Sequence, residues 1–168
     1  MRLRPATAAD VPALLGLERQ CPTAAHWSER QYEELFRTTE GACEGFVLVA
    51  DVTAEASDRG SDSGSRSESG SSPLLGFLIA HHLHPEWELE NLVVASDCRR
   101  KGLATKLFTA LLTRARETNS ESIFLEVRES NHAARALYAR LGFEESGRRK
   151  LYYANPHEDA VLYRLALV

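Results

Sequence analysis

The sequence lacks the long apolar runs that mark membrane-spanning or exported proteins. Its 168 residues contain no apolar run of about 18 residues, the length that indicates a transmembrane helix. The first residues, Met1 to Pro5, also lack the apolar core of a signal peptide. We therefore expect a cytoplasmic protein with no membrane partner.

Cysteine is scarce, and basic residues do not dominate. The three cysteines include no CxxC pair, so neither a disulfide framework nor a zinc site is indicated. His82 and His84 share one face of a predicted strand, but no acidic or cysteine ligand follows at a suitable spacing, and we expect no metal. A net charge of −4 excludes the broad basic surface of a general nucleic-acid binder.

One segment carries no large apolar side chain. Residues 53–73 hold eight serines and three glycines, and such a segment cannot offset its ordering entropy by burial. The apolar runs 46–50 and 74–80 flank it and predict two strands joined by a long hairpin loop. The segment could instead separate two domains, but only about 50 residues precede it, which is small for an independent core. We therefore expect one domain over residues 1–168, with a disordered insert at 53–73.

Strand and helix patterns alternate along the rest of the chain. Helices are predicted over 9–18, from Ser28, from Lys101 and over 131–141. Strands are predicted over 2–6, 46–50, 74–80, 88–94, 122–128, 143–150 and 160–167. This mixed order predicts an α/β or α+β fold whose sheet carries helices on both faces.

The most informative motif is a basic loop at the start of an amphipathic helix. Arg99, Arg100 and Lys101 follow a strand-like stretch and directly precede small residues at Gly102 and Ala104. Free N–H groups and the positive dipole end of the helix favour an anion there, and small residues let it approach the backbone. A nucleotide pyrophosphate would fit, although a basic triplet can also be an ordinary solvated turn. The spacing excludes a P-loop and a G-x-G-x-x-G loop.

Two side chains in the second half are suited to proton transfer. Glu126 lies on a strand among apolar neighbours, where desolvation would raise its pKa toward the useful range of a general base. The alternative is a surface glutamate paired with Arg128. Tyr138 lies two helical turns after Asn131, a predicted N-cap, so the two share a face. A phenol there can protonate a leaving thiolate, or it can be a packing tyrosine.

Taken together, the motifs resemble a known superfamily. Arg99-Arg100-Lys101-Gly102-Leu103-Ala104 fits the acetyl-CoA loop Gln/Arg-x-x-Gly-x-Gly/Ala, and the run Leu125 to Asn131 is similar to a catalytic segment of the same proteins. The chain thus resembles the GCN5-related N-acetyltransferase (GNAT) superfamily, and within it the ribosomal-protein-alanine N-acetyltransferases of the RimI type. The resemblance implies a mixed, mostly antiparallel sheet of about seven strands, with helices on both faces.

The resemblance also implies site residues. Glu126 would accept a proton, Tyr138 would donate one, and Tyr152 would lie in the segment that closes the substrate site. Glu88 and Glu90 are reserve candidates for the base, since they share a face of the preceding strand. The implied acetyl-CoA contacts are Leu92, Val93, Val94, Arg99, Arg100, Lys101, Gly102, Leu103, Ala104, Thr105 and Asn131.

The implied activity is direct acetyl transfer from acetyl-CoA to a protein N-terminal amine, without a metal. A ribosomal protein with an N-terminal alanine is the first candidate substrate, and a monomeric enzyme is expected. Two alternatives stay open: a lysine side chain or small amine as acceptor, and a non-catalytic acyl-CoA sensor.

Overall fold

The structure is a computed structural model that describes residues 1–37, 44–52 and 73–167. Within these ranges seven strands form one sheet in the order β1-β2-β3-β4-β5-β7-β6. The helices are α1 (Val11–Arg19), α2 (Glu29–Glu34), α3 (Leu103–Glu117) and α4 (His132–Arg140). The strands are β1 (Arg2–Pro5), β2 (Glu44–Asp51), β3 (Leu74–Leu83), β4 (Glu86–Val94), β5 (Ser122–Arg128), β6 (Glu144–Ala154) and β7 (His157–Ala166).

The strand pairing confirms the predicted sheet type. Neighbouring strands are antiparallel, except that β4 and β5 are parallel. The strands β2 and β3, which flank the serine-rich insert, pair with each other as a hairpin requires. Residues 53–72 of the insert lie outside the described residues. No helix in the described part of the chain has the length and apolarity needed to cross a bilayer.

Two apolar cores lie on opposite faces of the sheet, which confirms helices on both faces. The helix α3 buries its Leu107, Phe108 and Leu111 against one face, where Leu125 of β5 is also buried. The helices α1 and α2 cover the other face with a second buried cluster. That cluster includes Leu14, Leu17, Tyr32, Val49, Phe77 and Val93. The period of 3.6 in each helix produces these single buried stripes.

A bulge in β4 reverses which residues face which core. Ile79 of β3 pairs with Asn91, but the next residue, Ala80, pairs with Leu89, so one residue of β4 is extra. Leu89 accordingly packs in the core beneath α3, whereas Val93 packs in the core beneath α1. An extra residue in one strand disrupts the ladder and redirects the side chains that follow. The bulge lies where β4 enters the candidate site.

The N-terminal turn is fastened by a buried carboxylate. Asp10 is 4% exposed and accepts hydrogen bonds from Arg4 Nη1 at 2.8 Å, from Arg4 Nη2 at 2.7 Å and from the Thr7 backbone N–H at 2.8 Å. The Arg4 guanidinium is the main reason that the pKa of Asp10 falls to about 2. Thr7 and Asp10 therefore act together, as a capping box.

This carboxylate gives a stability prediction. The pKa of Asp10 is lower in the folded state than in the unfolded chain, so it stabilises the protein above pH 4 and loses that effect as the pH falls toward 2. We expect Asp10→Asn to lower the free energy of unfolding by about 2 kcal/mol near neutral pH. Urea unfolding should show the gap from wild type narrowing below pH 4. The exposed Asp97→Asn variant should unfold with the same free energy as wild type. Equal losses of unfolding free energy in the two variants would contradict the stabilising role of Asp10.

Candidate active site

A cleft opens where β4 and β5 separate. The two strands pair in parallel from Glu86 with Ser122 to Leu89 with Leu125. Past that point β5 pairs only with β7, and β4 only with β3. Among the described strands, none pairs with the edge of β4 that faces β5 after Leu89. A cleft of about 1160 Å³ lies here.

The cleft brings together nearly all the residues singled out in the sequence. Every predicted contact or catalytic residue lines it except Lys101, which is exposed in the turn before Gly102. The structure places these residues on three strands, two helices and the loop before α3. The fold thus collects them in one place, while their individual roles stay predictions.

One end of the cleft is formed by an uncapped helix N-terminus. Gly102 precedes α3 with a left-handed φ of 78° and provides no side-chain cap, and a residue with a side chain would be strained there. The first helical bond runs from the Lys106 N–H to the Gly102 carbonyl at 3.0 Å. The N–H groups of Leu103, Ala104 and Thr105 therefore have no partner within the helix.

The three cations of the loop differ in what they contact. Arg99 is exposed, but its side chain is held in place, donating from Nε to the Val94 carbonyl at 3.1 Å and from Nη2 to Cys21 Sγ at 3.3 Å. Arg100 and Lys101 are exposed and form no ion pair with any described residue. Arg99 likewise has no carboxylate partner among the described residues, so all three cations leave positive charge at this end, and Arg99 differs only in being held by hydrogen bonds. The phosphate contact of Arg99 stays a prediction.

Asn131 caps α4, and Tyr138 lies on that helix. The Asn131 side chain accepts a hydrogen bond from the Ala134 N–H at 3.2 Å, which confirms the predicted N-cap. Tyr138 is 8% exposed, and its ring packs 5.6 Å from that of Phe143 and 6.3 Å from that of Tyr163. Burial raises the pKa of the Tyr138 phenol and so keeps its proton in place at neutral pH. Tyr138 both packs in the core and lines the cleft.

Glu126 pairs with a different arginine from the one that the sequence suggests. The expected alternative, a pair with Arg128, is wrong: Arg128 Nη1 donates to Glu158 Oε1 at 2.8 Å. Glu126 Oε1 instead lies 3.0 Å from Arg149 Nη2, and the Glu126 side chain is 17% exposed. Sequence reasoning could not find Arg149, because β6 reaches β5 only through β7 in the sheet order.

The two reserve carboxylates line the same cleft. Glu90 Oε1 lies 2.9 Å from His81 Nδ1, and this contact raises the pKa of His81. Glu88 has no ion-pair partner among the described residues. Burial, and then the nearby charges of Glu90 and Glu126, raise the pKa of Glu88. Glu88 is therefore a second credible proton acceptor.

The carboxylates and the phenol approach the cleft from opposite faces of the sheet. Leu125 and Val127 are buried in the α3 core, so the alternating Glu126 points to the α1 face. Tyr138 belongs to the core on the α3 face. The two faces of the sheet are open to each other through the gap between β4 and β5. A reacting group held in that gap can meet a proton acceptor on one side and a proton donor on the other.

A buried glutamate that the sequence analysis missed fixes one wall. Glu18 is 1% exposed; its Oε1 accepts a hydrogen bond from Asn91 Nδ2 at 2.7 Å, and its Oε2 accepts one from the Trp27 N–H at 2.9 Å. It thereby fastens the cleft-lining Trp27 to β4. A signal was available, because Glu18 follows the buried Leu14 by four residues and so lies on the apolar stripe of α1.

The histidine cluster has a structural explanation. His82 stacks on Trp87, with ring centroids 4.8 Å apart, and its Nε2 lies 3.2 Å from Ser120 Oγ. The residues that the structure describes include no group of three or more His, Cys, Asp or Glu side chains arranged to hold a metal. Cys21 and Cys98 are free thiols, and Cys43 lies outside the described residues.

The sequence and the fold were compared with those of known proteins. The model of the acetyltransferase (GNAT) family matches residues 13–143. A curated relative, the [ribosomal protein bS18]-alanine N-acetyltransferase of Salmonella typhimurium, is 38% identical over 96 residues. That match covers 56% of this chain and 65% of the relative, slightly less than two thirds of its length.

Solved structures share the whole fold. The crystal structure of the ribosomal-protein-S18-alanine N-acetyltransferase from Escherichia coli aligns with a TM-score of 0.72 and 26% identity, covering 99% of this chain and 93% of that one. Arabidopsis thaliana NAA60 in complex with acetyl-CoA aligns with a TM-score of 0.76 and 17% identity, covering 99% and 98%. The second likeness concerns the fold alone.

Proposed function

The chain belongs to the acetyltransferase (GNAT) family, and from this premise we propose that it transfers an acetyl group from acetyl-CoA to the N-terminal amine of a protein. The observation that carries the proposal is the opening between β4 and β5. It joins an uncapped helix N-terminus at one end to proton-accepting and proton-donating side chains at the other.

The described residues fit the acyl carrier. Its diphosphate would lie against the free N–H groups of residues 103–105, with Arg100 and Lys101 beside it. The unpaired edge of β4 offers backbone groups of residues 92–94 to an amide-containing arm. Acetyl-CoA supplies the activated thioester, and N–H groups on this edge would stabilise negative charge on its carbonyl oxygen.

The proton steps follow from the two faces of the cleft. An ammonium group cannot attack a carbonyl carbon, so Glu126, directly or through water, removes its proton. Tyr138 lines the same cleft and holds its proton at neutral pH, and it protonates the departing thiolate. Glu88 is the alternative acceptor, because its pKa is raised and it lacks an ion-pair partner among the described residues.

The names of two relatives narrow the acceptor. The Salmonella relative and the E. coli structure are both named as alanine N-acetyltransferases of a ribosomal protein. We therefore propose the N-terminal alanine of a ribosomal protein as the first acceptor to test. The carboxylates Glu88, Glu90 and Glu126 suit an incoming ammonium group. The single-domain organisation, the monomeric state and the cytoplasmic location stay proposals.

Free CoA release tests the activity. The wild-type chain is incubated with acetyl-CoA and one of three additions: an alanine-starting peptide, an N-terminally blocked peptide with one lysine, or no acceptor. Turnover with the alanine-starting peptide alone is expected. Turnover with the lysine peptide alone would show that the acceptor is a lysine side chain. Saturable binding of acetyl-CoA without any turnover would indicate a non-catalytic acyl-CoA sensor.

The phenol gives a second testable prediction. Tyr138→Phe keeps the ring packing but removes the proton, so we expect kcat to fall about 10²-fold while acetyl-CoA affinity is unchanged. Tyr163→Phe is the matched control, because Tyr163 is buried beside Tyr138 but does not line the cleft. Equal turnover in the two variants, measured by CoA release, would remove Tyr138 from the reaction.

A further inference from the structure

The ion pair between Arg149 and Glu126 joins an exposed cation to a half-buried carboxylate. The atoms Nη2 and Oε1 are 3.0 Å apart, and the side chains are 53% and 17% exposed, respectively. Glu126 is held by its strand inside the cleft, whereas Arg149 reaches it from β6. The arginine can therefore leave for solvent at small cost, and the carboxylate cannot.

The neighbouring arginines are committed elsewhere. Arg148 forms ion pairs with Glu145 and Glu129, and Arg128 pairs with Glu158 while lying 4.0 Å from the centroid of the Tyr153 ring. Arg149 has one carboxylate partner among the described residues, and that partner is the proposed proton acceptor.

The backbone around Arg149 is irregular. Arg149 pairs with Ala160 of β7, and regular pairing resumes only at Tyr153. Between them Leu151 has a left-handed φ of 51°, and its N–H donates to Asp159 Oδ1 at 2.8 Å. This bulge brings the Tyr152 ring within 5.3 Å of the Arg149 guanidinium carbon. The guanidinium thus contacts the ring face while it pairs with Glu126, and this contact can persist when Nη2 leaves the carboxylate.

The charges of the cleft explain why a cation is needed here. Glu88, Glu90 and Glu126 line one cleft, and the pKa of Glu88 is raised first by burial and then by the charges of the other two. His81 faces Glu90, and Arg149 faces Glu126. Without a cation on Glu126, the cluster would carry uncompensated negative charge in a partly desolvated place.

We propose that Arg149 occupies, on Glu126, the position of the acceptor's ammonium group, and that a productive acceptor must displace it. This inference rests on the proposed function. Arg149 is then a positioning and specificity-determining residue. It keeps the Glu126 side chain ordered before the acceptor arrives, and only an acceptor with a cationic amine can replace it on Glu126. A neutral or blocked N-terminus cannot replace the guanidinium and gains nothing from Glu126.

The test compares two peptides in the presence of CoA, measured by titration calorimetry. One peptide starts with a free alanine, and the other is the same peptide with an acetylated N-terminus. We expect Arg149→Met to bind the free-amine peptide about five-fold more tightly than wild type, since no internal ion pair has to be broken. The acetylated peptide should change by less than two-fold. Arg149→Lys should restore the wild-type affinity.

Arg148→Met is the matched control, because it removes the adjacent guanidinium without touching Glu126. It should alter neither affinity. In turnover assays Arg149→Met should lower KM for the peptide without raising kcat. A general distortion of the hairpin would instead weaken both peptides equally.

Three results would overturn the inference: equal changes for the two peptides, weaker or unchanged binding of the free amine, or an Arg149→Lys variant that behaves like Arg149→Met. Failure of the proposed function has a different signature, since wild type itself would then give no CoA release with any peptide. Thermal unfolding of each variant checks that it is folded at the temperature of the binding measurements.

Discussion

Replacing Glu126 with Gln is expected to lower kcat on the order of 10²- to 10⁴-fold while acetyl-CoA binds with unchanged affinity. The amide keeps the shape of the side chain but cannot accept the proton of the attacking ammonium group. Glu126 lies on the α1 face, away from the helix N-terminus that would bind the diphosphate. Carrier binding and proton removal are therefore separable, and stopped-flow binding with CoA-release assays measures each.

The same experiment on Glu88 decides between the two carboxylates. Glu88 also lines the cleft, its pKa is raised, and it has no ion-pair partner among the described residues. If Glu126 is the base, Glu88→Gln should reduce kcat by less than about ten-fold. An exposed control, Glu144→Gln, should have no effect. If Glu126→Gln kept the wild-type kcat and Glu88→Gln lost it, Glu88 would be the general base.

Charge reversal at the loop has the second largest expected effect. The double variant Arg100→Glu, Lys101→Glu places two carboxylates where the diphosphate is expected, beside the free N–H groups of α3. We expect acetyl-CoA affinity to fall on the order of 10²-fold, with a weaker dependence of the remaining affinity on salt. Calorimetric titration of acetyl-CoA at two ionic strengths measures both.

The control for charge reversal must change the net charge equally. Arg19→Glu, Arg116→Glu does so at two exposed positions in the last turns of α1 and α3, outside the cleft. It should leave acetyl-CoA affinity within about two-fold. If both double variants bind acetyl-CoA as wild type does, the loop does not hold the diphosphate.

Local sequence was sufficient for most of the helices and strands and for the helix N-terminus at one end of the cleft. Apolar residues at helical spacing marked α3, and small residues directly after three cations marked its N-terminus, because both patterns are read within one helical turn. The N-caps at Ser28 and Asn131 were likewise found from residue type and position. These features depend on neighbours in sequence, so no knowledge of the fold was needed.

The partners of the charged groups could not be predicted. Arg99, Arg100 and Lys101 look equivalent in sequence, yet only Arg99 meets Cys21, which lies 78 positions earlier in the chain. A pair of Glu126 with Arg128, two residues away, is the alternative that the local sequence offers. The sheet order brings Arg149 to Glu126 instead. Such contacts are set by strand register and by bulges, which local periodicity does not encode.

The bulge in β4 is another feature that local sequence patterns could not predict. Simple alternation would place Leu89 and Val93 on one face, but the extra residue between them sends them to different cores. The separation of β4 from β5 follows this point, and it forms the cleft. The site is therefore a property of the assembled sheet, although its residue types were visible beforehand.

The most direct measurement uses one peptide with a free N-terminal alanine and a single internal lysine. Wild-type protein, acetyl-CoA and this peptide are incubated, and tandem mass spectrometry locates the added acetyl group. The account predicts acetylation of the alanine amine alone by the wild-type chain, and its loss in Glu126→Gln. An acetyl group on the lysine, or no transfer at all under conditions where acetyl-CoA binds, would contradict it.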